Sequence, residues 1–176
     1  APPLRSQEEV DRLWSYVEDG TFSGIASDHS PCSYAEKYEE ILGQKIENVF
    51  DVWGGISGIQ SGVQVSFYEG CVKRGISPST LAKVMAENPA KAFGIYGKKG
   101  ALKPGFDADI ILIDPEKEWE ITSDSLKYVN KISAFVGMKG KGLPVCTIVR
   151  GKVVAQDGDV TDTKGYGELV KKIKEK

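Results

Sequence analysis

The sequence predicts an α/β fold in two regions, a strand followed by helices up to about residue 97 and mainly β structure from 98 to 159. Three observations predict it. The small apolar run 22–27 (FSGIAS) reads as a buried strand and ends in a carboxylate, Asp28. Ile59, Val63, Phe67 and Cys71 step by four, the spacing of one helix face. From Lys98 onward, turn residues and short β-branched runs replace that pattern.

Each element follows from local chemistry. Ser6 with Glu9 three residues on forms a capping box, and Val10, Leu13, Trp14 and Val17 follow at helical spacing. Residues 34–48 are charged and long for a plain connection, which suits a functional loop. Residues 59–73 predict a helix stopped by Gly75. Ser77 and Pro78 start the next, and Asn88-Pro89 predicts the start of a third. A strand over 108–114 is expected to end at Pro115, with a second short strand at 119–122. Residues 145–150 and 153–156 read as a hairpin turning at Gly151-Lys152 and closed by Asp157-Gly158. Residues 166–176 carry a lysine-rich helical pattern.

Composition removes several function classes. With 23 basic and 25 acidic residues and a formal net charge of −2, no basic excess points to nucleic acid. No apolar run approaches the roughly 20 residues of a membrane span. The three cysteines, Cys32, Cys71 and Cys146, fit free thiols in a reducing compartment, so a cytoplasmic location is expected. A single histidine, His29, cannot furnish the several His or Cys ligands usual at zinc. The lone strand at 22–27 has no predicted partner, which predicts that the chain is the tail of a larger fold. An apolar face at Ile59, Val63 and Phe67, or at Ile25, is then expected to be exposed.

The densest candidate chemistry is 27–32, Ser27-Asp28-His29-Ser30-Pro31-Cys32. A carboxylate at a strand end is where a (β/α) barrel keeps catalytic groups, and it can ligate a metal or take a proton from metal-bound water. Residue type alone favours the blander alternative, an Asp capping the next loop. Adjacent strand-end residues point to opposite sides, so His29 reads as a hydrogen-bonded, orienting residue. Cys32 has no activating His at a recognisable spacing and reads as a buried thiol. Trp53-Gly54-Gly55 reads either as a pocket wall or as a turn around a core Trp.

Taken together, Asp28-His29-Ser30-Pro31-Cys32 and Trp53-Gly54-Gly55-Ile56 closely resemble the C-terminal half of allantoinases, cyclic amidohydrolases of the amidohydrolase superfamily. Pro2-Pro3-Leu4-Arg5, Asn88-Pro89-Ala90-Lys91 and the run 100–109 (GALKPGFDAD) match wider marks of that superfamily. The resemblance runs from about Ala1 to Asp159. It implies the C-terminal part of a (β/α)8 TIM-type barrel over 1–97, comprising the last strand and outer helices. Part of a small β-sandwich domain over 98–159 and a helix or tail over 160–176 follow.

The resemblance also implies roles. Asp28 is similar to the last-strand aspartate that ligates one metal of a binuclear zinc centre and shuttles a proton to the leaving ring nitrogen. Ser30, Trp53 and the main chain at Ala1 match substrate-binding positions. The expected reaction is hydrolysis of allantoin to allantoate in purine breakdown, in a homotetramer. An early His-x-His pair, a carboxylated lysine and further histidines belong to the family's metal site and lie in none of the 176 residues. They are expected in a missing N-terminal part, and the chain alone is expected to be inactive. Two alternatives stand beside this reading: a hydantoinase, dihydropyrimidinase or dihydroorotase-like enzyme, and a non-catalytic assembly subunit with the same fold.

Overall fold

A computed structural model describes residues 5–41, 43–161 and 164–173. The expected box caps α1 (Gln7–Glu18): the Ser6 hydroxyl accepts from the Glu9 amide, and the Glu9 carboxylate accepts from the Ser6 amide. Trp14 and Val17 of α1 enter a core cluster with Leu81 and Val84. The expected loop at 34–48 contains a short helix, α2 (Tyr34–Tyr38), and a small hairpin, β1 (Glu40–Ile41) with β2 (Gln44–Lys45). A 3-10 turn, Val49–Asp51, follows.

The helix expected over 59–73 begins at α3 (Gly62–Ser66) and continues as a π-helical run, Phe67–Val72. It stops before Gly75, whose φ of +70° suits glycine. Its Phe67 and Cys71 pack on the Val17–Leu81–Val84 cluster, whereas Val65 and Tyr68 pack on a second cluster of Trp119, Ile121 and Leu126. This helix is therefore the wall shared by both cores. The predicted exposed face is split: Ile59 is exposed, but Phe67 is packed, and Ile25 is half-buried on the first cluster.

Ser77 caps α4 (Pro78–Ala82), accepting from the Thr80 amide at 3.0 Å, with Pro78 at the first position as expected. The predicted break at Asn88-Pro89 does not occur. α4 runs through a π-helical segment, Lys83–Glu87, into α5 (Asn88–Ala92). The Asn88 amide reaches back five residues to the Lys83 carbonyl. That wider turn accommodates a proline that has no N–H and whose ring would crowd a regular helix.

The strand predicted at 22–27 forms no ladder among the described residues. Ile25 donates to the Val84 carbonyl at 3.1 Å, and the nearest strand-like pairing is one parallel bridge, His29 with Ile56. Apart from Ile25, the run is exposed. The missing ladder has a physical reason: among the described residues no neighbouring strand lies alongside to accept its amides.

The second region is one antiparallel sheet, β3 (Ile110–Glu120), β4 (Lys139–Val149), β5 (Lys152–Gln156) and β6 (Asp159–Val160), in sequential order. No second sheet faces it among the described residues; the helical wall covers it through Tyr68 and Val65. β3 does not end at Pro115, and the first half of the strand expected at 119–122, Trp119 and Glu120, is its continuation. The register shifts between Asp114 and Glu118, and the Asp114 carboxylate accepts from the Glu116 and Lys117 amides. A bulge of this kind tolerates proline inside a strand. The hairpin turns one residue earlier than expected, at Arg150 (φ +47°) and Gly151 (φ +81°), the two positive values of a type I′ turn.

The helix expected at 166–176 is absent from the described residues 166–173. Tyr166 is held instead beneath the Arg150 guanidinium, 4.3 Å from its ring, and its hydroxyl donates to the Val149 carbonyl. The Ile173 amide then donates to the Gly94 carbonyl at 2.8 Å. These tethers fasten the tail to β4 and to the turn after α5. No helix among the described residues is long and apolar enough to cross a membrane.

One ion-pair cluster fastens the helical wall to α1. Arg74 bonds Glu69 at 2.8 Å and also pairs with Asp11, while Lys73 bonds Glu69 at 2.7 Å. Burial raises the Glu69 pKa, but the bonds from Lys73 and Arg74 outweigh it and hold the carboxyl below its usual range. A depressed folded pKa stabilises above the unfolded value, and the stabilisation is lost as pH falls through the folded value. Glu69→Gln is expected to cost at most about 1 kcal/mol near pH 6 after solvent screening. Urea denaturation of both proteins checks this: the gap should close as the pH is lowered below about 4.

Candidate active site

Asp28 follows the unpaired 22–27 run with a φ of +43°, a left-handed value uncommon outside glycine and best tolerated by Asn and Asp. It is exposed, and its carboxylate has no partner among the described residues. The next two residues are fixed firmly. The Ser30 amide donates to the Ile56 carbonyl at 3.0 Å. His29 Nδ1 accepts from the Gly58 amide at 3.1 Å and from the Ile59 amide at 3.4 Å. An accepting Nδ1 leaves the ring proton of a neutral imidazole on Nε2. The ring packs on Tyr128, 5.1 Å away, whose hydroxyl accepts from the Gln60 amide. His29 thus ties the 28–30 segment to 56–60, the orienting part expected of it.

Ser30 and Trp53 meet across Gly55. A Cβ on Gly55 would lie 2.1 Å from the Ser30 carbonyl oxygen, 2.4 Å from Trp53 Nε1 and 2.6 Å from Ser30 Oγ. Trp53 is 40% exposed, so it is not a core residue. Ala1 lies outside the described residues. Cys32 is buried, and burial pushes its thiol up, which makes a poor nucleophile. Cys71 and Cys146 are free as well.

A contributor unforeseen from the sequence comes from α2. Ser33 and Glu36 form a capping box at its start, and the Ser33 amide and hydroxyl hold the Glu36 carboxyl below its usual range. Trp53 donates its amide to the Glu36 carbonyl at 3.3 Å. Lys37 Nζ donates to the Trp53 carbonyl at 2.7 Å and to the Gly55 carbonyl at 3.1 Å. The Ser-x-x-Glu pattern at 33–36 was the available signal that a helix begins here.

The exposed Asp28 carboxylate thus follows an unpaired run, two residues before Ser30, which packs against the glycine turn at Gly55. Residues 2–154 match the amidohydrolase family, and the chain belongs to that family. It is similar to the allantoinase of Rubrobacter xylanophilus, at 40% identity over all of this chain and 37% of that protein. It is also similar to the L-hydantoinase of Paenarthrobacter aurescens, at 37% identity over 97% of this chain and 36% of that protein. Among solved structures, the D-hydantoinase (dihydropyrimidinase) of a Thermus species superposes with a TM-score of 0.88 at 27% identity, covering 98% of this chain and 36% of that one. The L-hydantoinase of Arthrobacter aurescens gives 0.78 at 34% identity, over 92% and 35%. The chain spans just over a third of the length of these relatives.

Members of the amidohydrolase family are generally metal-dependent. Among the described residues, no group of three or more His, Cys, Asp and Glu side chains is placed to hold a metal ion. His29 Nδ1 is engaged by backbone amides. Asp28, exposed and unpartnered, fits as a single carboxylate ligand. The donors described here do not amount to a metal centre.

Proposed function

We propose that this chain is the C-terminal part of the (β/α)8 barrel, with part of the adjoining β domain, of an allantoinase. The complete protein hydrolyses the hydantoin ring of allantoin to allantoate. The observation that carries this reading is the Asp28–Ser30 segment locked against the Trp53–Gly55 turn, in a chain with 40% identity to an allantoinase. A divalent metal, in this reading binuclear zinc held in part by Asp28 and otherwise by ligands outside these residues, would supply an activated water. The Asp28 carboxylate takes the proton of the water that adds to the ring carbonyl. It returns that proton to the ring nitrogen as the C–N bond breaks, so one water is consumed and the protons balance. Ser30 and Trp53 bind the ring, and the main chain at Ala1 contacts its amide. The complete protein works as a cytoplasmic homotetramer.

A hydantoinase or dihydropyrimidinase is the second reading, favoured by the superposition on the Thermus D-hydantoinase. Both readings are tested by metal-loaded ring-opening assays on the full-length protein and on residues 1–176 alone. The full-length protein is expected to open a cyclic amide and the 176-residue chain to open none. Hydrolysis by the chain alone, with mass spectrometry excluding longer species, contradicts the reading that further ligands are required.

A further inference from the structure

We propose that Lys37 is a positioning residue of this site: its ammonium sets the curl of the Trp53–Gly55 turn and thereby the fit of the ring substrate. The inference deepens the cyclic amidohydrolase reading and rests on it for the identity of the substrate. Two backbone carbonyls, two residues apart, converge on one ammonium at 2.7 and 3.1 Å. Residues 53–55 must bend around that cation for both bonds to form. The bend brings Gly55 so close to Ser30 that the gap holds no Cβ, and it brings the Trp53 indole nitrogen to the same point. Lys37 itself is well placed. It sits on α2, whose first turn is closed by the Ser33–Glu36 box, and the Trp53 amide is tied to the same helix through the Glu36 carbonyl.

Charge-assisted bonds to carbonyls are stronger than neutral ones, and an ammonium offers three donors. Lys37 touches neither Asp28 nor the Asp28–His29–Ser30 backbone through any hydrogen bond described here; its bonds go to the opposite wall. Removing the ammonium therefore loosens the wall that holds substrate and leaves proton transfer at Asp28 in place. Such a change raises KM with kcat little altered.

The test uses the full-length protein with Lys37→Met, which keeps the aliphatic stem, and Lys37→Arg, which keeps the donors. On whichever cyclic amide the wild type opens, Lys37→Met is expected to raise KM about tenfold with kcat within about twofold, and Lys37→Arg to recover most of the loss. Backbone hydrogen exchange at 53–59 is expected to quicken in Lys37→Met and to stay slow in Lys37→Arg, while 78–92 is unchanged in both. An unchanged KM in Lys37→Met overturns the proposal. So does a general loss of stability and activity that arginine does not rescue, because that is the mark of a merely structural lysine. If the wild type opens no cyclic amide, the functional reading fails separately, and the exchange measurement decides the tie: unchanged exchange at 53–59 overturns it, and selective quickening supports it.

Discussion

Asp28→Asn in the full-length protein is expected to lower kcat by about 10²- to 10⁴-fold, the span of a lost general acid–base group, while leaving the fold intact. The substitution is chosen for its backbone. Asp28 holds a φ of +43°, and asparagine tolerates that region at least as well as aspartate. The carboxylate is exposed and unpartnered among the described residues, so the folded chain loses no bond when it becomes an amide. Thermal unfolding of the metal-free protein should therefore shift by no more than a degree or two, about the scatter of neutral surface changes. Steady-state kinetics beside a melting curve check both halves. Full activity in Asp28→Asn contradicts the proton-handling role.

Gly55→Ala carries the second large effect, and its cause is steric. The new methyl would lie 2.1 Å from the Ser30 carbonyl oxygen, and that oxygen belongs to backbone already fixed by the Ser30–Ile56 bond. The Trp53 indole and the Ser30 hydroxyl crowd the same point at 2.4 and 2.6 Å. Neither backbone segment can yield without separating Ser30 from Trp53. A misplacement of roughly 1 Å is enough to cost about 10²-fold in kcat/KM, and that loss is the expected result. Overpacking should also remove about 1–3 kcal/mol of stability. Kinetics at a temperature well below unfolding separate the two effects. Wild-type kcat/KM in this variant contradicts the convergence of Ser30 and Trp53 on the substrate.

Much of this architecture was legible residue by residue. Ser6 with Glu9, Ser77 with Pro78, and Gly75 are local signals, and each marks a helix end where it was expected. The hairpin was found, but its turn lies one residue earlier, because Arg150 takes the positive φ that Gly151-Lys152 seemed to need. The misses have two causes, a local irregularity that accommodates a proline and tertiary partners that hold the tail. Pro89 continues a helix because a π turn precedes it. Pro115 stays in a strand because a bulge, closed by the Asp114 side chain, receives it. Residues 166–173 are tied to Arg150, Val149 and Gly94 rather than coiling on their own pattern.

The candidate site shows the same division. Asp28, Ser30 and Trp53 stand out through the resemblance of their motifs to allantoinases, whereas residue type alone favours a capping Asp at 28 and leaves Trp53 open between a pocket wall and a core turn. Lys37 was not visible. Among 23 basic residues, nothing in its immediate sequence says that two carbonyls sixteen and eighteen residues away will close on it. Such a contact is set by the return of the chain through β1 and β2, a long-range event with no short-range signature.

The most direct test of the central claim is a hydrolysis panel on the metal-loaded full-length protein, comparing allantoin, unsubstituted hydantoin and dihydroorotate, with Asp28→Ala alongside. The account predicts that allantoin is opened with the highest kcat/KM and that Asp28→Ala abolishes the reaction. Inertness toward all three rings, or a rate that Asp28→Ala leaves unchanged, would contradict it.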